Sequence, residues 1–273
     1  MGNRWIEQVY IREIGQDSLY GRQHVHDDGC EILWVLQGNG NILLGDTLYR
    51  LESKRLYFIP ALMLHYTHPS VPEDYLRSKL VFSRHMIQKV LTACGSLHLL
   101  ENLEQTSWSA ECREPEKTAR IEHFFEEASQ IMREPRHTAD ARIAGLILQM
   151  ISYFSDTLLP DVTAVYHADP LMNTMLTYIN THLGEDLSLD QIAYHCHISK
   201  YYMCRRFREE INMTIMQYIS NQRIIAAKNA LMGTDKSIAA VALENGYVNT
   251  SHFCSVFRRA EGISPAVFRK QYK

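Results

Sequence analysis

The sequence predicts an α+β protein of several domains: an N-terminal β-barrel, a helical segment behind it, and an all-α C-terminal domain. Three observations predict this. Short runs of aliphatic and aromatic residues, punctuated by glycine and proline, fill residues 5–82. Apolar residues then recur with helical periodicity to the end of the chain. The charge is also divided unevenly: residues 1–167 hold 16 Lys and Arg against 22 Asp and Glu, whereas residues 168–273 hold 12 against 9. An acidic part is joined to a mildly basic one.

The chain has 273 residues, enough for one large or two ordinary domains. It is 46% hydrophobic and 22% charged, an ordinary globular balance that argues against disorder. No apolar run approaches the ~20 residues of a membrane helix. The N-terminal stretch MGNRWIEQVYIREIG lacks the continuous apolar core of an export signal. Cysteines at 30, 94, 112, 196, 204 and 254 form no C-x-x-C pair. Free thiols and a cytoplasmic location are therefore expected, with no membrane partner.

The strand signals come first. Glu31–Gln37, Asn41–Leu44, Arg55–Ile59 and Tyr75–Phe82 are short apolar runs. Glycines at 38, 40 and 45 and prolines at 60, 69 and 72 separate them. Many short strands at regular spacing suggest a sandwich or barrel.

Helical stripes follow. Ile121, Phe124, Phe125, Ala128, Ile131 and Met132 form one, and Ile143, Leu146, Ile147, Met150, Ile151 and Phe154 a second. Pro115 and Pro135 sit near their starts, where proline is tolerated. The stripes suit either dimerisation or covering the barrel. Periodicity fades between Ser155 and Pro170. The expected division is thus a barrel over 1–85, helices over 86–157, a linker over 158–169 and a helical domain over 170–273.

Seven short helices are expected in that last domain, near 171–183, 188–195, 199–209, 214–232, 237–244, 250–260 and 265–271. Ser188, Ser199, Ser237 and Ser264 are candidate N-caps, and Gly233, Gly246 and Gly262 candidate stops. Two stretches share a plan. The helix from Leu189 leads through a turn to one carrying Met203 and Phe207; the helix from Ser237 leads to one carrying Phe253 and Phe257. A short helix, a tight turn and a second helix with anchors four apart is helix-turn-helix logic.

The segment Gly246-Tyr-Val-Asn-Thr-Ser-His-Phe-Cys-Ser-Val-Phe-Arg-Arg-Ala-Glu-Gly-Ile-Ser-Pro-Ala-Val-Phe-Arg269 resembles the double helix-turn-helix domain of AraC/XylS transcription regulators. Ser199, Met203, Arg205, Phe207, Tyr218, Arg223, Ala227 and Leu231 extend the resemblance over about 100 residues. Double-stranded DNA is the implied partner. With Met203 and Phe207 inward, Lys200, Tyr201, Cys204, Arg205 and Arg208 lie on or beside the opposite face. The resemblance puts Tyr201, Cys204 and Arg205 at base-reading positions. Only Arg205 has a fork for guanine; a surface pair with Glu209 is its bland alternative. On the second helix Asn249, Thr250, Ser251, His252 and Ser255 are free to face a groove, with Arg258 a phosphate contact. Many relatives carry a longer Arg or Gln where Ser255 stands, so less direct readout is expected there.

In the barrel region, His24-Val-His26, four residues, Glu31, six residues, Gly38 matches H-x-H-x(3,4)-E-x(6)-G. Pro60-Ala-Leu-Met-Leu-His65 matches P-x-G-x-x-H except that Leu62 replaces the glycine. Together they resemble the cupin-like barrel that serves many such regulators as an effector domain. Alternation puts His24 and His26 on one face. With Glu31, His65 and Tyr66 they are candidate effector-binding residues. His24, His26, Glu31 and His65 are also the set for a 3-His-1-carboxylate metal site, although no metal or other cofactor is expected.

The resemblance implies a DNA-binding regulator, not an enzyme. A small molecule in the barrel, a sugar by analogy, would control it. A homodimer is expected, and RNA polymerase is a partner if the protein is an activator. The rival is a metal-dependent cupin enzyme fused to a DNA-binding domain.

Overall fold

The computed structural model describes residues 6–14, 24–105, 109–158 and 169–272. The chain forms two compact units, 1–168 and 169–273. The expected linker lies almost wholly outside the described residues.

The first unit holds eight strands among the described residues: β1 (Ile6–Ile14), β2 (Gly29–Gln37), β3 (Gly40–Leu44), β4 (Thr47–Leu51), β5 (Arg55–Ile59), β6 (His65–Pro69), β7 (Leu76–Ser83) and β8 (Ser109–Glu111). They make a five-stranded sheet, β1-β7-β2-β5-β8, and a three-stranded sheet, β4-β3-β6. Strand alternation sorts the side chains. Cys30, Ile32 and Trp34 of β2, with Leu56, Phe58, Leu80 and Phe82, belong to one core on the outer face. Leu33 and Val35 belong to a second core with Ile42, Leu44, Leu51, Tyr57 and Ile59, between the two sheets. Burial on both faces is why the run at 31–35 reads as uninterrupted apolar sequence, apart from its first residue.

Four helices cover the outer face: α1 (Arg84–Ala93), α2 (Leu97–Glu104), α3 (Pro115–Ile131) and α4 (Arg136–Thr157). Both predicted stripes are spent on that core. Met132 is the exception: it caps the end of α3 and is exposed. Two features bear on the expected division. The stripes of α3 and α4 cover the barrel and so are not free to form a dimer interface. The boundary drawn at 85/86 falls inside one core, because β8 comes from the segment read as helical and pairs with β5. Asp28 fastens the junction, accepting from Ser83 Oγ and from the His85 amide at 2.9 Å.

The second unit is all helical: α5 (Pro170–Thr181), α6 (Leu189–His195), α7 (Lys200–Ile211), α8 (Ile215–Gly233), α9 (Ile238–Glu244), α10 (Thr250–Glu261) and α11 (Pro265–Tyr272). Ser188, Ser199 and Ser237 cap α6, α7 and α9, and Ser264 Oγ accepts from the Val267 amide at 3.3 Å. Gly246 and Gly262 take φ of +75°. Gly233 does not act as a stop: it is the last residue of α8, and the chain leaves through extended Thr234.

The unit is an internal repeat. The α6–α7–α8 sequence recurs as α9–α10–α11 about 50 residues later. Phe207 packs edge-on to Tyr218 and Phe257 to Phe268, both at 5.5 Å. Each turn is closed by the same pair of bonds. His197 and Ile198 amides donate to Tyr194 and Ala193; Gly246 and Tyr247 amides donate to Leu243 and Ala242. The left-handed position is glycine in the second turn but His197, at φ 55°, in the first.

Candidate functional sites

Inside the barrel, backbone pairing assembles the first site. His24 and His65 exchange both amide bonds, at 3.2 and 3.1 Å, so their side chains leave the same face. Their rings lie 4.1 Å apart, with His26 at 5.1 Å from His24 and 5.5 Å from His65. Glu31 points to the same interior as Leu33. His26 Nε2 and His65 Nε2 approach its Oε2 at 3.3 and 3.5 Å. Met63 O accepts from His65 Nδ1 at 2.9 Å, which leaves Nε2 facing the carboxylate. Two separated segments thus meet in one buried polar cluster. Leu62, standing at the motif's glycine, takes φ 61° and its amide donates to His26 O at 2.8 Å.

Burial pushes the Glu31 carboxyl upward. The hydrogen bonds of His26 and His65, with the charges of His65 and Lys79, outweigh burial and hold it well below the ordinary range. Lys79 was not anticipated. It lies opposite Leu33 in the β2–β7 ladder, so it points inward with Glu31, and Arg77 and Val81 share that face. Both Lys79 and Arg77 are buried.

Tyr66 must be removed from this site. It neighbours His65 on β6 and therefore faces the other way, its ring 5.9 Å from that of His68. Trp34 is outer core and Gln37 is exposed.

In the second unit, α7 and α10 bury Met203, Phe207 and Ile211, and Phe253, Val256 and Phe257. Their opposite faces carry the predicted residues. Tyr201 is 80% exposed, and Lys200, Arg205 and Arg208 are exposed. Cys204 is half-buried, and Cys254 holds the corresponding place on α10. Lys200 pairs with Asp190 at 2.8 Å, and Arg205 with Glu209 at 3.8 Å. Both pairs are solvent-exposed and easily exchanged for another anion. Ser251, His252, Ser255 and Arg258 are exposed and Thr250 half-buried. Asn249 is less available than expected: its Oδ1 caps α10, accepting from the Ser251 and His252 amides at 2.8 and 3.3 Å.

Other arginines have structural tasks. Arg206 donates to Asp169 at 2.6 Å and pairs with Glu210 at 3.0 Å, tying α7 to the cap of α5. Arg223 donates to Leu183 O and Glu185 O at 2.9 and 2.6 Å. Arg269 donates to Leu231 O and Lys236 O at 3.3 and 2.6 Å. Each thus bridges the end of one helix to the start of the next helix-turn-helix unit.

A barrel with a buried polar cluster, joined to two repeated helix-turn-helix units, defines a ligand-responsive DNA-binding regulator. Residues 6–151 match the AraC-like ligand binding domain, and residues 183–271 match a helix-turn-helix domain. The chain belongs to the AraC family of transcription regulators. It is similar to the HTH-type transcriptional activator RhaR of Escherichia coli, 25% identical over 256 residues, covering 90% of this chain and 86% of that one. It is 35% identical over 103 residues to the regulatory protein PocR of Salmonella typhimurium, covering 38% of this chain and 34% of PocR, so it spans about a third of that relative's length. Among solved structures, the DNA-binding domain of AdpA in complex with target DNA is 30% identical, covering 38% of this chain and 94% of that one with a TM-score of 0.37. No helix among the described residues is long and apolar enough to cross a membrane.

Proposed function

We propose that this regulator reads an operator through α7 and α10 and that a small polar effector, bound at His24, His26, Glu31 and His65, controls it. The repeat carries the first part: two equivalent helices present polar outer faces from anchored cores. Lys200, Tyr201, Cys204, Arg205 and Arg208 form the first contact set. Thr250, Ser251, His252, Ser255 and Arg258 form the second, with Asn249 chiefly a cap. Helices held by α8 in one rigid unit would enter successive major grooves, ~34 Å apart. A footprint of about two turns, steeply weakened by salt, is expected; protection of a single groove segment would oppose it.

The buried cluster supports the second part. Three imidazoles and a carboxylate gathered inside the barrel offer donors and acceptors to a hydrogen-bonding effector such as a polyol or sugar. His26→Ala and His65→Ala should abolish the effector's control of promoter output and leave DNA affinity intact. Full effector response in either variant would sink the assignment. We take the protein to act in the cytoplasm. For an activator, RNA polymerase is the expected partner. A homodimer must use surfaces other than the buried stripes of α3 and α4, which sedimentation of the full chain would test.

One observation favours a second reading, a metal in the same cluster. A ligand atom from each of His24, His26, Glu31 and His65 lies within 4.8 Å of all the others. Bonds of ~2.0–2.2 Å separate ligand atoms by roughly 3–4 Å, so the four fit an ion after slight contraction. Because His65 Nδ1 donates to Met63 O, Nε2 faces inward and can ligate a metal once its own proton is lost. A bound ion would polarise an effector oxygen. Equilibrium dialysis with zinc and manganese should then show one ion per chain, lost in Glu31→Gln; no uptake by the wild type would end this reading.

A further inference from the structure

The two helix-turn-helix units differ by one residue in their turns. The first runs His197, Ile198, Ser199; the second runs Gly246, Tyr247, Val248, Asn249. The inserted Val248 is 100% exposed, the most exposed large apolar side chain among the described residues. Both neighbours fix it there. Tyr247 is buried and its amide is bonded to Ala242 O at 3.0 Å, while Asn249 caps α10 through its side chain. Val248 cannot turn inward without releasing one of them. Its β-branch also restricts its rotamers, so little freedom is left to lose on binding.

Val248 stands at the N-terminal end of α10, the end from which a recognition helix approaches base edges. The major groove offers one apolar group, the C5-methyl of thymine. A phosphate gives an isopropyl group nothing. We propose that Val248 reads a thymine methyl in the half-site bound by the second helix-turn-helix, supplying sequence readout at the N-terminal end of a helix whose first two turns otherwise expose only serines and a histidine besides the capping Asn249. This rests on the reading of α10 as a groove-entering helix.

The test uses the full-length protein and duplexes enriched by it from a random library. Each thymine of the second half-site is replaced in turn by deoxyuridine, which lacks only the methyl. Wild type should lose about fourfold in affinity at one position, the equivalent of one buried methyl group. Val248→Ser should lose about as much on the thymine duplex and be indifferent to deoxyuridine at that position. Val248→Ser binding as tightly as wild type, with the same deoxyuridine profile, would overturn the proposal. So would a loss of promoter output without loss of DNA affinity, which would place a protein partner on Val248. Thr250→Ala on the same duplexes, and Arg205→Ala on duplexes varied base by base in the first half-site, separate the failures. If they alter sequence preference and Val248→Ser does not, only the Val248 assignment falls. If none of the three does, the interface itself has been misplaced.

Discussion

Adjacent arginines on α7 should behave in opposite ways. Arg205 is over half exposed, and its partner Glu209 lies 3.8 Å away, also over half exposed. Such a pair contributes no more than about 0.5 kcal/mol to stability. Arg205→Ala should therefore leave the unfolding midpoint almost unchanged. On the preferred operator it should lose ~1–3 kcal/mol, roughly five- to 150-fold, and relax preference at one or two base pairs. Arg206 is mostly shielded and donates at 2.6 Å to Asp169, whose other oxygen caps α5. Arg206→Ala removes a charge-assisted bond and should lower stability by about 1–2 kcal/mol with sequence preference intact. Urea unfolding gives the first quantity for each variant. Fluorescence anisotropy on the operator and its single-base variants gives the second. Lys200→Ala is the control and should weaken all duplexes alike. An Arg205→Ala variant that weakened every duplex equally would move Arg205 to the phosphate backbone. An Arg206→Ala variant with altered base preference would refute the division of labour.

The remaining expectations concern backbone, bridges and pH. His197→Gly and Leu62→Gly should each stabilise by about 0.5–1 kcal/mol, because both residues hold the left-handed conformation glycine prefers; an unchanged unfolding midpoint in both would contradict this. Gly246→Ala should destabilise by ~2 kcal/mol or more, since a Cβ there would lie 2.6 Å from Leu183 O at φ +75°. Arg223→Ala should uncouple the α5 end from the first helix-turn-helix and lower thermal stability more than Arg258→Ala, which removes an exposed side chain; equal melting points would refute the bridging role. Burial raises the Tyr75 phenol from 10.0 to about 12. The folded state then holds a proton the unfolded state releases, so stability should fall as pH rises from about 10 to 12, and Tyr75→Phe should flatten that slope in alkaline unfolding curves.

The second unit was legible in the sequence almost entirely. Helix spans, serine caps and anchors such as Phe207 and Phe257 depend on residues a few positions apart, so local spacing encodes them. The His24–His26–Glu31–His65 cluster was legible through its resemblance to the two cupin motifs; alternation alone placed only His24 and His26 on one face. Tertiary structure decided what local pattern leaves open. Arg77 and Lys79 alternate with Ser78 and Leu80, and a charged strand face ordinarily means solvent; closing the barrel turned it inward beside Glu31. The stripes of α3 and α4 fit a partner helix or a sheet equally well, and only packing on the outer face of β2, β5 and β7 consumed them. Tyr66 looked like a pocket residue through its neighbour His65, yet strand geometry sends adjacent side chains to opposite faces. Arg205 and Arg206 carry the same chemistry; Asp169, 37 residues earlier, engages one of them and leaves the other to its exposed partner. Sequence specified the elements because their signals are local. The fold assigned their buried charges and paired side chains, because those depend on contacts between residues far apart in the chain.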